Sequence, residues 1–210
     1  MNTKKETVMY QKFFRATTLV ATCLFLISCS NFNVNDPTVQ KVYEDGKNLN
    51  DWNLVGNANW RLQRGSIQAD FLTSKLPSYL VTKVKYQNFH IYTEFWADSQ
   101  TNSGVFIRCQ NPEKIDAVSC YEVNIWDARP DPSYGTAAIV DIAKVSSPYP
   151  KAGGQWNTME ITANGSQLIV KFNGVETVNA RDDKLKDGFI ALQYGSGIIK
   201  FRKFYMKPIN

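Results

Sequence analysis

Histidine is almost absent from this sequence. One occurs in 210 residues, His90, so a metal centre built on imidazole would have a single candidate ligand. No other cluster with recognisable ligand spacing appears, and neither a metal nor a cofactor is expected. A strong charge of one sign is also missing. The formal net charge is +5. Lys4, Lys5, Lys12 and Arg15 against Glu6 place +3 of that within residues 1–28, leaving +2 for the rest. A nearly neutral chain without a Lys/Arg stripe has no electrostatic footprint for nucleic acid, which is excluded as a partner. A sustained 3.6-residue period is absent beyond single turns, which argues against a helical domain.

Long apolar runs are missing too, except one. From Ala16 to Ser28 the chain reads ATTLVATCLFLIS behind the basic start. That run is too short and too close to the amino terminus for a comfortable membrane span, and it reads as the apolar core of a secretory signal. It ends in Leu26-Ile27-Ser28-Cys29. This stretch resembles the bacterial lipobox, which implies cleavage before Cys29, lipidation of its thiol and an anchor in a membrane. Ser rather than Asp at position 30 implies an outer-membrane address. Residues 29–40 are polar and without period, and are expected to form a flexible tether. Residues 41–210 then make one domain, expected as a monomer.

Cysteine is scarce, four in all. Cys23 leaves with the signal and Cys29 takes the lipid. Cys109 and Cys120 remain, each at the end of a strand-like run, outside the cytoplasm where disulfides persist. A bridge between them would clamp the polar loop they bracket; two free thiols are the other possibility.

What the chain does have is alternation. YLVTKVKY, FHIYTEFWA, SGVFIRC and YEVNIWD alternate apolar and polar residues, and Asn164-Gly165 and Asn173-Gly174 each sit between alternating runs. Asn-Gly in that setting is a hairpin signal. Many short strands with regular turns imply an antiparallel β-sandwich. Residues 128–155 are the exception. They are rich in Pro and Gly, and a connection of that length is usually a functional loop or a disordered segment; AAIVDIAKV within it is a candidate for a further strand.

Parity assigns faces. In YEVNIWD, Tyr121, Val123 and Ile125 point inward, and Glu122, Asn124 and Trp126 are presented. By the same rule Asn102, Gly104, Phe106 and Arg108 share a presented face, as do His90, Tyr92, Glu94 and Trp96. If these strands adjoin, Glu94, Arg108, Glu122 and Asn124 gather among aromatic rings. Planar amide, guanidinium and carboxylate groups bond sugar hydroxyls, and rings cover the apolar face of a sugar. A solvated polar sheet face is the plainer alternative. Asp127 closes its strand and suits either a loop cap or a site. Tyr134 in the long loop suits either a sugar-stacking rim or loop packing.

In order along the chain, NLNDW, NSGVFIR, YEVNIWD, GGQWNTMEI, LIVKFNGV and GFIALQYG resemble the bacterial 3-keto-disaccharide hydrolase domain, from about Asn48 to Ile209. The resemblance implies an all-β, concanavalin-like jelly-roll sandwich whose concave sheet binds sugar. It also implies cleavage of 3-keto-glycosides by removal of the C2 proton, β-elimination and hydration. Glu122, Arg108 and Glu94 would be the catalytic groups, and Asn124, Trp126, Gln193, Asn102, Tyr134 and Asp127 would contact substrate. One departure stands out. Where many members read Leu-Gln-Asp-His-Gly, this chain reads Leu192-Gln193-Tyr194-Gly195, without the His. A non-catalytic carbohydrate-binding lipoprotein of the same fold is the alternative.

Overall fold

The computed structural model describes residues 32–43 and 48–209. The expected signal segment, with Cys23, and the expected lipid site at Cys29 lie outside the described residues. Thirteen strands are found among those described, with no α-helix. They are β1 (Gln40–Tyr43), β2 (Trp52–Val55), β3 (Arg61–Gln63), β4 (Ser66–Ala69), β5 (Ser78–Thr82), β6 (Phe89–Ala97) and β7 (Ser103–Cys109). There follow β8 (Tyr121–Ile125), β9 (Trp156–Asn164), β10 (Gln167–Phe172), β11 (Val175–Arg181), β12 (Phe189–Tyr194) and β13 (Ile199–Pro208). One sheet has eight strands in the order β11-β10-β9-β6-β13-β4-β3, with β1 also on β13; the other has five, β2-β5-β12-β7-β8. The paired strands are antiparallel.

The core lies between the sheets because alternation gives each strand one apolar side. Phe89, Ile91, Phe95, Met159, Ile161 and Phe201 enter it from the large sheet. Leu80, Val105, Ile107, Tyr121, Val123, Ile125 and Leu192 enter from the small one. The turn at Asn173-Gly174 has positive φ at both residues, 50° and 80°. That is the type I′ geometry the pair favours.

Two segments depart from the sequence reading. The AAIVDIAKV stretch adds no full strand. Residues 137–140 instead bond along the free edge of β8: Ala137 N–H donates to Asn124 O, Asn124 N–H to Ala138 O and Val140 N–H to Glu122 O, at 2.9–3.0 Å. Positive φ at Ala137 and Asp141 ends the pairing on either side. The edge of the small sheet is thereby covered. The segment before β1 is not a loose tether over its described part. Phe32 is 9% exposed and stacks on Tyr92 and Tyr205, with its edge against His90. Asp36 accepts from Lys207 Nζ at 2.6 Å. Residues 32–39 are thus strapped to the outer face of the large sheet.

Candidate functional site

The outer face of the five-stranded sheet carries most of the polar groups that parity presented. Its register sets them in two rungs. Tyr79 lies opposite Gln193, Gly104 opposite Asn124, and Leu192 opposite Val105, which brings Gly104 beside Gln193. The next rung runs Val81, Ala191, Phe106 and Glu122. Glu122, Asn124 and Gln193 therefore converge on one floor, around a glycine at which the chains approach closely. A Cβ on Gly104 would stand 3.0 Å from Val123 O and 3.6 Å from Glu122 Cγ.

Electrostatics sharpen the site. The Glu122 carboxyl accepts no hydrogen bond among the described residues, and burial pushes it up to about 7 from 4.5; Arg129 pulls it down and Asp141 pushes it up by lesser amounts. Asn124 is fully buried. Its Nδ2 donates to Tyr134 O at 2.7 Å, which fixes the amide so that Oδ1 is left with no partner among the described residues. Gln193 repeats the pattern. Its Nε2 donates to the Tyr79 hydroxyl at 3.4 Å, and its Oε1 is buried and unpartnered among the described residues. An orphaned buried acceptor costs about 1–3 kcal/mol. Two such oxygens beside a desolvated carboxyl are what a hydroxyl-rich ligand would satisfy.

One end of the floor is closed by Cys109–Cys120. The two sulfurs are bonded at 2.22 Å, and the loop between them lays Ile115 over Tyr79, Val81, Phe106 and Ala191. Phe106 is thus 1% exposed and does not face water. At the other end Trp126 is partly buried, with the Arg129 guanidinium 5.5 Å from its ring centre. Asn102 stands one rung beyond Gly104, where its carbonyl accepts from Gly195 N–H at 2.9 Å.

Several expected site residues lie elsewhere. Arg108 is a correction. It is fully buried, and its guanidinium donates to the carbonyls of Gln87, Gly165 and Leu185 and to Asn88 Oδ1. The cause is a β-bulge: Ile107 and Arg108 together span the step between Ala191–Phe106 and Phe189–Cys109, with φ of 53° at Arg108. A bulge breaks the alternation on which parity rests. Glu94 is a second correction. It lies on β6 in the other sheet, facing outward, so the whole sandwich separates it from Glu122. Burial pushes its carboxyl up, but bonds from Lys203, Arg202 and Tyr92 outweigh that and hold it below the ordinary range. Arg202 and Lys203 both reach Glu94, at 2.6 and 2.9 Å, because β13 bulges between them.

Asp127 serves the loop. It accepts from Thr136 Oγ1 at 2.6 Å and from the N–H groups of Ala152 and Gly153 at 2.9 Å, so its carboxylate is occupied by the chain. Tyr134 packs its ring toward the core beneath Lys144; only its carbonyl serves the site, through Asn124. Tyr79, Arg129 and Asp141 are site neighbours that sequence reasoning did not name. Tyr79 alternates with core Leu80 in YLVT, a signal parity could have used. Arg129 and Asp141 sit in the long loop, where no period exists. Among the described residues no group of three or more His, Cys, Asp and Glu could hold a metal.

The family model of a 3-keto-alpha-glucoside-1,2-lyase-like domain matches residues 40–207. No curated relative matches. Among solved structures, a candidate glycosyl hydrolase of Parabacteroides distasonis ATCC 8503 is 14% identical, with a TM-score of 0.71 over 82% of this chain and 94% of that one. A second from the same organism is 24% identical, with a TM-score of 0.66 over 81% and 99%. The β-glucanase of Bacillus licheniformis is 13% identical, with a TM-score of 0.56 over 81% and 98%. At these identities the likeness is one of fold, a jelly-roll sandwich of the kind found in carbohydrate-active proteins.

Proposed function

The chain belongs to the 3-keto-alpha-glucoside-1,2-lyase-like domain family, and on that premise we propose that it cleaves 3-keto-glycosides on the outer face of its five-stranded sheet. The observation that carries this reading is the Glu122 carboxyl, desolvated and raised to about 7, beside the unpartnered oxygens of Asn124 and Gln193. A ketone at C3 acidifies the proton at C2. Glu122 in its ionised form takes that proton, and the electron pair forms the enolate. As the ketone re-forms, C1 and C2 become doubly bonded and the C1–O bond breaks. The departing oxygen takes a proton, which Glu122 now carries. Water then adds across the double bond, its oxygen to C1 and a proton to C2. Asn124 Oδ1 and Gln193 Oε1 accept from sugar hydroxyls and hold the ring. Arg129 takes the place expected of Arg108 as the cation near the developing charge. Disulfide-tied Ile115 and Phe106 keep one end of the floor dry, which strengthens each of these interactions.

The signal and lipobox reading extends this proposal to the cell envelope, with the mature chain anchored through lipid on Cys29.

The test is turnover of a methyl 3-keto-α-glucoside by the mature protein. Removing a positioned general base costs about 100-fold or more, so Glu122→Gln should lose at least that in kcat with its β-sheet circular dichroism intact. The parent rate should rise with pH through roughly 7, since the ionised form is the base. Equal turnover by parent and variant sinks the assignment.

One observation favours a second reading. At the position of the family's missing His, Tyr194 turns its ring into the core and donates its hydroxyl to Gly197 O at 2.9 Å. It brings no proton-transfer group to the floor. Carbohydrate binding without cleavage would then be the activity, and calorimetry with plain glycans, beside the absence of product from keto-glycosides, would select it.

A further inference from the structure

The outer face of the eight-stranded sheet has no part in the proposed chemistry, yet it is built with a definite composition. Trp96 lies opposite Trp156 on one side and Lys200 on the other. Lys200 Nζ stands 4.4 Å from the Trp96 ring centre, and the Arg202 guanidinium 3.9 Å from that of Trp156. Trp156 remains 38% exposed. Beside it is a cleft of about 230 Å³ lined by Gln63, Arg64, Ser66, Gln68, Trp156 and Lys200, which holds two cations and no carboxylate. Among the described residues no carboxylate pairs with Lys200. Glu94 is faced by both Arg202 and Lys203, which leaves that trio positive. Tryptophan with lysine and arginine is the composition of surfaces that rest in the headgroup layer of a membrane.

A second observation gives this face its direction. Phe32 is pinned to it, stacked on Tyr92 and Tyr205, and Asp36 is tied to Lys207. Cys29 precedes Phe32 by three residues, and three residues span at most about 11 Å. A lipid on Cys29 would therefore enter the bilayer within that distance of Phe32. Along β6, Trp96 is four residues from Tyr92, about 13 Å. Phe32, the tryptophans and the cationic cleft thus share one face.

We infer that the outer face of the eight-stranded sheet lies on the membrane surface, with Trp96, Trp156, Lys200 and Arg64 against anionic lipid headgroups, so that the Glu122 floor on the opposite sheet looks away from the bilayer. This orientation rests on the lipidation of Cys29 proposed above. It would leave the sugar site open to chains in the surrounding medium and place the outer face of the eight-stranded sheet on the lipid.

The experiment uses the mature, lipidated protein in vesicles of phosphatidylethanolamine and phosphatidylglycerol that carry a nitroxide on the headgroup. Lys41→Cys, whose side chain lies over Tyr205, and Arg64→Cys each place a fluorophore on the large-sheet face. Val118→Cys places one on the disulfide loop, at a residue 75% exposed. Quenching should be several-fold stronger at 41 and 64 than at 118, with equal brightness in detergent. Phe32→Ala should bring the three positions together by freeing the strap. Equal quenching in the parent background, or stronger quenching at 118, overturns the orientation. Intact mass separates the two readings: a chain without acyl groups refutes the anchor and the orientation with it, whereas an acylated chain with equal quenching refutes the orientation alone.

Discussion

Burial of the Glu122 carboxyl couples its titration to folding. Its folded pKa of about 7 lies above the ordinary 4.5, so the folded chain holds this proton more tightly than the unfolded one. The resulting stability is fully present below about pH 4.5 and is lost as pH rises through about 7. Urea unfolding of the parent at about pH 4.5 and pH 8 should register the loss. Glu122→Gln, which stays neutral, should remove this group's share and be the more stable protein at pH 8 by roughly 1–3 kcal/mol. Glu94 has the opposite sign. Held ionised by Lys203 and Arg202, it stabilises the fold above the ordinary carboxylate pKa, and that contribution fades as pH falls. The two carboxylates look alike in their strands; the difference is what each meets. Glu122 faces Phe106 and Gly104 across its strand pair, while Glu94 faces a cation pair.

At the scale of single strands, alternation was legible and its interruptions were not. Tyr121, Val123 and Ile125 are core and Glu122 and Asn124 face the floor, as period two requires. The bulges at Arg108 and Lys203 put positive φ on residues with no turn preference. Neither Gly nor Asn marks them, so nothing local distinguishes Arg108 from a presented arginine. Its role follows from its surroundings. It is a buried cation that bonds three carbonyls and one amide oxygen, tying β7 to the turns at 87–88, 165 and 185. Removing it leaves those acceptors unpaired, at about 1–3 kcal/mol for each orphan. Arg108→Met should therefore cost roughly 3–5 kcal/mol in urea unfolding, while turnover per folded molecule stays at the parent level. Arg108→Lys should recover little, since an ammonium cannot reproduce the planar fork. A variant that unfolds normally yet loses turnover would return Arg108 to the site.

For the whole molecule, the strap of residues 32–39 lies on the outside of the sandwich, held by Phe32 on Tyr92 and Tyr205 and by Asp36 on Lys207. Phe32→Ala removes a buried ring from the outer face of the large sheet. Stability should fall by roughly 1–3 kcal/mol, and hydrogen exchange at the amides of β1 should quicken before that of the core strands, as expected of a segment that opens locally. The antiparallel pattern and the identity of Glu122 and Asn124 as presented residues were available from the sequence, because each depends on spacing within a few residues. The tertiary structure decided what lies beyond that reach. It put Glu94 and Glu122 on opposite sides of one sandwich, because which strands join which sheet is a matter of chain-wide pairing. It turned Arg108 inward, because a bulge appears only when two strands are set in register. It drew Tyr79, Gln193 and Gly104 beside Glu122 from strands far apart in the chain, and the desolvation that raises that carboxyl exists only when they meet.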